Sequence, residues 1–178
     1  RGQPDEVEPD GQPNARGIPT STLQFNIWYH LGLAHYLKGD FANALRAYRE
    51  CLAVSNNPDA LVATSHWLYM TLRRMNRGAE AARVLAPISE DMDVIENGSY
   101  YGLLLLYQGL MPADALFRLE PGEAASVADV TQAYGVGNWH LYNGGPAEAE
   151  QVFRAIVAAK HQWAAFGYLA AEAELARN

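Results

Sequence analysis

Five histidines and a single cysteine are the residues of this chain with the widest chemical reach, so their spacing is the first thing to weigh. A helical metal site wants two histidines one turn apart, and a metalloprotease adds a glutamate between them. His30 and His35 stand five apart, on different faces of any helix, and neither H-x-x-x-H nor H-E-x-x-H occurs. Cys51 has no second cysteine to pair with, which removes an internal disulfide and any multi-cysteine zinc site within one chain. Gly135-Val136-Gly137 lacks the third glycine of a dinucleotide fingerprint and follows a helix-like segment. Asn97-Gly98-Ser99 has the form of a glycosylation sequon, which matters only in a eukaryotic secretory setting. With no nucleophile elbow, P-loop or paired acid and base at a recognisable spacing, the expectation is no catalytic residue, no metal and no cofactor.

Charge and composition narrow the partners. The 178 residues hold 13 Lys+Arg against 20 Asp+Glu, a net charge of −7, which argues against a nucleic-acid binder that would need a basic stripe. No apolar run is long enough to span a membrane. Hydrophobic residues make up 49%, so the chain has enough apolar surface for a core. Only Lys38 and Lys160 are lysines among the basic residues, and alanine is abundant, a composition that hints at a GC-rich bacterium. Residues 1–22 hold four of the nine prolines and no aromatic residue, and read as a mobile or draped leader. They lack the basic start and apolar stretch of a signal peptide.

What must position any site is a repeated helical pair. Gly32 and Gly39 are seven apart and Ala44 follows; Gly137, Gly144 and Ala149 repeat the arrangement, and Gly102 and Gly109 repeat the glycine spacing with Ala115 one residue late. Tyr69 and Asn76 stand at the glycine places of a further copy that keeps Ala81, and Gly167 opens a last one. Apolar residues recur at helical spacing on both sides of each turn-prone dipeptide. The pattern predicts helices over 23–38 and 41–54, 60–75 and 78–87, 98–109 and 112–119, 127–143 and 146–159, and 162–176. Pro112 and Pro146 fit first-turn positions, whereas Pro58 and Pro87 fit helix ends. The recurring first glycines predict a close approach of the two helices, with Ala44 and Ala149 facing Gly32 and Gly137 across the gap.

With Trp28, Leu31, Gly32, Gly39, Phe41, Ala44 and Tyr48 in place, the chain resembles the tetratricopeptide repeat, whose unit is a helical pair of about 34 residues. His35 replaces the usual tyrosine, Cys51 a usual alanine, and the closing proline comes late, at Pro58. The resemblance implies an all-α solenoid, an α-α superhelix of about four pairs plus a C-terminal capping helix. The repeats would run over 25–58, 60–92, 97–122 and 127–160, with the cap at 162–176, so that 23–178 is one repeat domain behind the leader 1–22. His35 and His140 fall at a position normally filled by a buried tyrosine and are expected as satisfied core histidines, and Cys51 as a structural thiol. Trp163, Phe166, Ala170 and Ala173 would be the buried stripe of the cap.

First helices of such repeats line the concave surface. Their expected open face here is Tyr29, Leu33, Tyr36, then His66, Met70, Arg73, then Tyr100, Leu103, Tyr107, then Tyr134, Asn138, Tyr142, each set sharing one helix face. So many tyrosines suit a recognition groove, as stiff contact area with a hydroxyl, and they equally suit internal packing. The lysine and asparagine clamp with which some family members hold a peptide carboxylate is not present, so a protein or peptide ligand is expected to be apolar or aromatic, steered by Arg73 and Arg74. The leading functional expectation is a non-enzymatic binding scaffold; the others are a structural or assembly segment of a longer solenoid, and an enzyme of unrecognised type.

Overall fold

The computed structural model describes residues 5–7, 14–116 and 125–177. Among them the regular structure is helical: α1 (Leu23–Leu37), α2 (Phe41–Val54), α3 (Pro58–Arg74), α4 (Gly78–Val84), α5 (Gly98–Gln108), α6 (Val127–Tyr142), α7 (Pro146–Ala158) and α8 (Phe166–Arg177). Two short 3-10 turns, Ala113–Ala115 and Lys160–Gln162, complete the set. The chain divides into two compact units, Arg1–Tyr101 and Gly102–Asn178.

In the N-terminal unit α1 packs on α2, α2 on α3, α3 on α4, and α1 also meets α3. In the C-terminal unit α6, α7 and α8 pack on one another in all three pairings. Side-chain caps start the helices: Thr22 accepts from Phe25 N, Asp40 from Asn43 N, Asn57 from Ala60 N, and Ser126 forms a reciprocal capping box with Asp129. The second residue of each glycine pair has its own reason. Gly39, Gly109 and Gly144 have φ of 75°, 78° and 89°, and Asn76, at the matching place, has φ 56°. These are the left-handed turns that end each first helix, a conformation glycine takes freely and asparagine tolerates.

The first residue of each pair is a packing position, and its partner differs from the expected alanine. A Cβ on Gly32 would lie 2.7 Å from the Tyr48 ring, and one on Gly137 2.7 Å from the Phe153 ring. An aromatic ring of the second helix therefore fills the space that the glycine opens, while Ala44 and Ala149 are buried beside it.

Other boundaries are corrected too. Pro58 begins α3 rather than ending a helix, because Asn57 caps it and a proline at the first position loses no hydrogen bond. The helix expected over 78–87 stops at Val84, ahead of Pro87. Of the segment expected as a helix over 112–119, Ala113–Ala115 is a 3-10 turn after an extended Pro112, and 117–119 fall outside the described residues. The last helix begins at Phe166 rather than 162, and Trp163 ahead of it is 67% exposed. Its buried residues are Gly167, Tyr168, Ala170, Ala171 and Glu174.

The described part of the leader is draped. The Leu23 amide donates to the Glu6 carbonyl (2.8 Å), Val7 bridges to Thr22, and Asn57 Nδ2 donates to the Thr20 carbonyl (2.9 Å). The Thr20 hydroxyl bonds to Glu96, and Arg16 pairs with Asp93 at 2.7 Å.

Candidate functional site

The expected row divides by burial. Tyr29, Leu33, Tyr36, His66, Met70, Leu103, Tyr134 and Asn138 are buried, whereas Arg73, Tyr100, Tyr107 and Tyr142 are half-exposed. Tyr29 and Tyr36 meet Trp67 of α3, His66 meets Tyr100 of α5, Leu103 lies against Gly135 of α6, and Tyr134 meets Phe153 of α7 and Glu174 of α8.

In the N-terminal unit α3 brings Trp67 onto α1. Its indole packs edge-on against Tyr36 (5.2 Å between centroids), and its Nε1 donates to the Tyr29 hydroxyl at 2.8 Å. The Tyr29 hydroxyl lies 3.2 Å from that of Tyr100 on α5, and His66 stacks on the Tyr100 ring at 4.7 Å. Burial drives the chemistry of this cluster away from titration near neutral pH. It raises the Tyr29, Tyr48 and Tyr100 hydroxyls and lowers the His66 imidazole to about 3. A neutral imidazole among aromatic rings is a packing group.

The remaining sequence candidates are placed as follows. Arg73 lies over the Tyr69 ring (5.8 Å to the centroid) and donates to its hydroxyl at 2.9 Å; Arg74 lies over Phe41 at 5.0 Å. Cys51 is buried, with its sulfur 3.1 Å from the Thr64 hydroxyl, and burial pushes the thiol up to about 11. The two histidines expected in the core are instead half-exposed. His35 sits in the last turn of α1 with Nδ1 3.1 Å from Asp40, the cap of α2, and His140 lies in the last turn of α6. Both belong to the turn between paired helices, where a polar ring stays hydrated.

In the C-terminal unit a polar chain ties α8 to α6. Asn138 Nδ2 donates to the Tyr134 hydroxyl (3.0 Å), that hydroxyl donates to Glu174 (3.3 Å), and Arg177 pairs with Glu174 at 2.8 Å. Glu174 is only 3% exposed and lies between the Tyr134 hydroxyl and the Arg177 guanidinium.

One buried carboxylate escaped the sequence reading. Asp59, 1% exposed, accepts from the amides of Ile95 (2.9 Å), Glu96 (2.7 Å) and Asn97 (2.9 Å), fastening the start of α3 to the residues before α5. Asn57-Pro58-Asp59 signals a helix start; that the carboxylate reaches a loop 36 residues on has no local signal. Among the described residues no group of three or more His, Cys, Asp or Glu could hold a metal ion, and no helix is long and apolar enough to cross a membrane.

No curated protein and no solved structure matches the chain. The family model described as Tetratricopeptide repeat matches residues 25–58, the span of α1, α2 and the loop to Pro58. Residues 25–58 are thus a tetratricopeptide repeat, set in a chain whose described regular structure is helical.

Proposed function

We propose that the chain is a non-enzymatic scaffold that holds a protein or peptide segment on its first helices. Tetratricopeptide repeats generally mediate protein–protein interaction, and the family is typically not catalytic. Support comes from the part-exposed members of the first-helix row. Arg73 and Tyr100 in the N-terminal unit, and Tyr107 and Tyr142 in the C-terminal unit, are half-exposed; Arg73 lies over the buried Tyr69 ring, and Tyr100 adjoins the buried Tyr29, His66 and Trp67. A stiff base beneath a half-exposed ring lowers the ordering cost of binding, and such a surface suits an apolar or aromatic segment. A photo-crosslinking residue placed at Tyr100, Tyr107 or Tyr142 is expected to trap one discrete protein. The same residue at Ala53 or Arg154, exposed on second helices, should not. Equal labelling at both sets of positions would overturn the reading.

A second reading, an assembly segment of a longer solenoid, draws on a different observation. Leu23, Ile27 and Leu31, one turn apart on α1, are 38%, 54% and 40% exposed.

A further inference from the structure

Two asparagines of this chain are followed by glycine, in Asn97-Gly98 and Asn143-Gly144, and they are held in different ways. An asparagine before glycine carries a latent intramolecular reaction, in which the glycine amide nitrogen attacks the side-chain carbonyl carbon Cγ. Glycine has no Cβ to hinder that nitrogen. In a folded chain the rate then depends on whether the nitrogen is free, and on what it costs to bring side chain and backbone into a ring.

Asn143 ends α6, and Gly144 makes the left-handed turn towards α7 with φ of 89°. Both residues are exposed. At the matching turns the Gly39 and Gly109 amides donate to the Tyr36 and Leu106 carbonyls, each at 2.9 Å. The Gly144 amide makes no such bond among the described residues, and the Gly145 amide closes the turn on the His140 carbonyl at 2.9 Å. Asn143 has ψ of 14°, so ring closure waits on a rotation that opens the last turn of α6. That rotation gives up the bond from Asn143 Nδ2 to the Trp139 carbonyl (2.9 Å) and the shared bond from its amide to the Trp139 and His140 carbonyls. These are neutral bonds at an exposed helix end, where local opening costs least.

Asn97 is the contrary case. Its carbonyl receives the Tyr101 amide at 3.0 Å in the first turn of α5. Its own amide donates to the Asp59 carboxylate at 2.9 Å, and its Nδ2 to the Asp59 carbonyl at 3.2 Å. The Ile95 and Glu96 amides bond to the same buried carboxylate, so moving Asn97 strips hydrogen bonds from a buried charge. The same dipeptide is loosely held at one place and fastened at the other.

We propose that Asn143 is a site of spontaneous deamidation, and that the fold shields Asn97 from the same reaction. The Gly144 nitrogen gives its proton to hydroxide and bonds to Asn143 Cγ. The Cγ–Nδ2 bond breaks, and the nitrogen takes a proton from water and leaves as ammonia, giving a five-membered imide. Water then opens the imide at either carbonyl, leaving aspartate or, with the main chain routed through the side chain, isoaspartate. Either product places a carboxylate at the C-terminal end of α6, where the helix dipole disfavours an anion. Isoaspartate also adds a methylene to the turn that sets α7 against α6. The reaction needs no partner and stands whether or not the first-helix row holds a ligand.

Peptide mapping of the full chain after incubation at mildly alkaline pH, folded and in concentrated urea, reads both sites in one sample. In the folded chain Asn143 is expected to convert about tenfold or more faster than Asn97, since one hydrogen bond to a charged group weights an opening by about that factor. In urea the two should convert at similar rates, because the contacts that distinguish them are gone. A protein-isoaspartate methyltransferase should label the folded chain on the peptide bearing residue 143. Asn143→Gln, whose longer side chain cannot close a five-membered ring, should lose that label and the acidic isoform with it. Equal rates at the two sites in the folded chain, or faster conversion at Asn97, would overturn the proposal. So would conversion of Asn143 in urea alone.

Discussion

The hairpins α1–α2 and α6–α7 close in the same way and are then covered differently. In both, a glycine of the first helix receives an aromatic ring sixteen residues on, from 32 to 48 and from 137 to 153, at 2.7 Å from where a Cβ would stand. The helix stacked on each pair contrasts. On α1–α2, α3 supplies bulk in the form of Trp67, which joins Tyr29, Tyr36 and Tyr100 in an aromatic layer. On α6–α7, α8 supplies a gap: a Cβ on Gly167 would lie 2.6 Å from the Val130 carbonyl oxygen, so the two backbones nearly touch, and a buried Glu174 completes the contact. Closing a hairpin is a matter of one small and one large residue at fixed spacing; stacking the next helix admits more than one chemistry.

The second pair carries this further. Tyr69 stands at the glycine place and Leu85, sixteen residues on, at the aromatic place, both buried. Here the larger side chain stands on the first helix, and the smaller one just past the end of α4.

The largest expected effect tests the shared closure. Phe153→Ala and Tyr48→Ala should each cost roughly 3–5 kcal/mol in urea unfolding, since each empties the space that a glycine opened. Markedly unequal losses would break the equivalence of the two hairpins. Next come the glycines, where adding a methyl overpacks by about 1–3 kcal/mol. Gly167→Ala should fall at the top of that range because its neighbour is backbone, and Gly32→Ala at the bottom because the Tyr48 ring can tilt. The reverse order would show that α8 docks less tightly than its carbonyl contact implies.

A pH experiment separates the aromatic layer from the polar chain. The unfolded chain protonates His66 near 6.5, whereas burial holds the folded imidazole at about 3. The contribution is therefore fully present above pH 6.5 and is lost as pH falls towards 3, at about 1.4 kcal/mol per pH unit. Unfolding at pH 7 and pH 5 should show a smaller acid loss in His66→Gln than in the wild type, and equal losses would remove the assignment.

The smallest effect distinguishes the two rings. The Tyr48 hydroxyl is buried and has no hydrogen-bond partner among the described residues, and Phe153 fills the same place without one. Tyr48→Phe should be neutral or stabilise by up to about 1 kcal/mol, because the desolvated hydroxyl is removed. A loss above that size would mean that the hydroxyl is satisfied in solution.

The pairs α1–α2, α3–α4 and α6–α7, the turns that end the first helices and the packing glycines were legible in the residues because each depends on neighbours a few positions away; the helix expected over 112–119 was not among them. A left-handed turn selects Gly39, Gly109 and Gly144, or Asn76, wherever it occurs. The glycine at 32 or 137 likewise answers to a ring on the very next helix. What lies inward was not legible. The tyrosine row shares a helix face, and periodicity identifies the face without saying what it meets. Only the tertiary structure decided that Tyr29, Tyr36 and Tyr134 look towards the next helix, that Asp59 reaches the amides of 95–97, and that α8 starts at Phe166 with Trp163 left in water. Each of these turns on a contact between residues far apart in the chain, whose cost and gain are set when two elements meet and leave no mark on the spacing of either one.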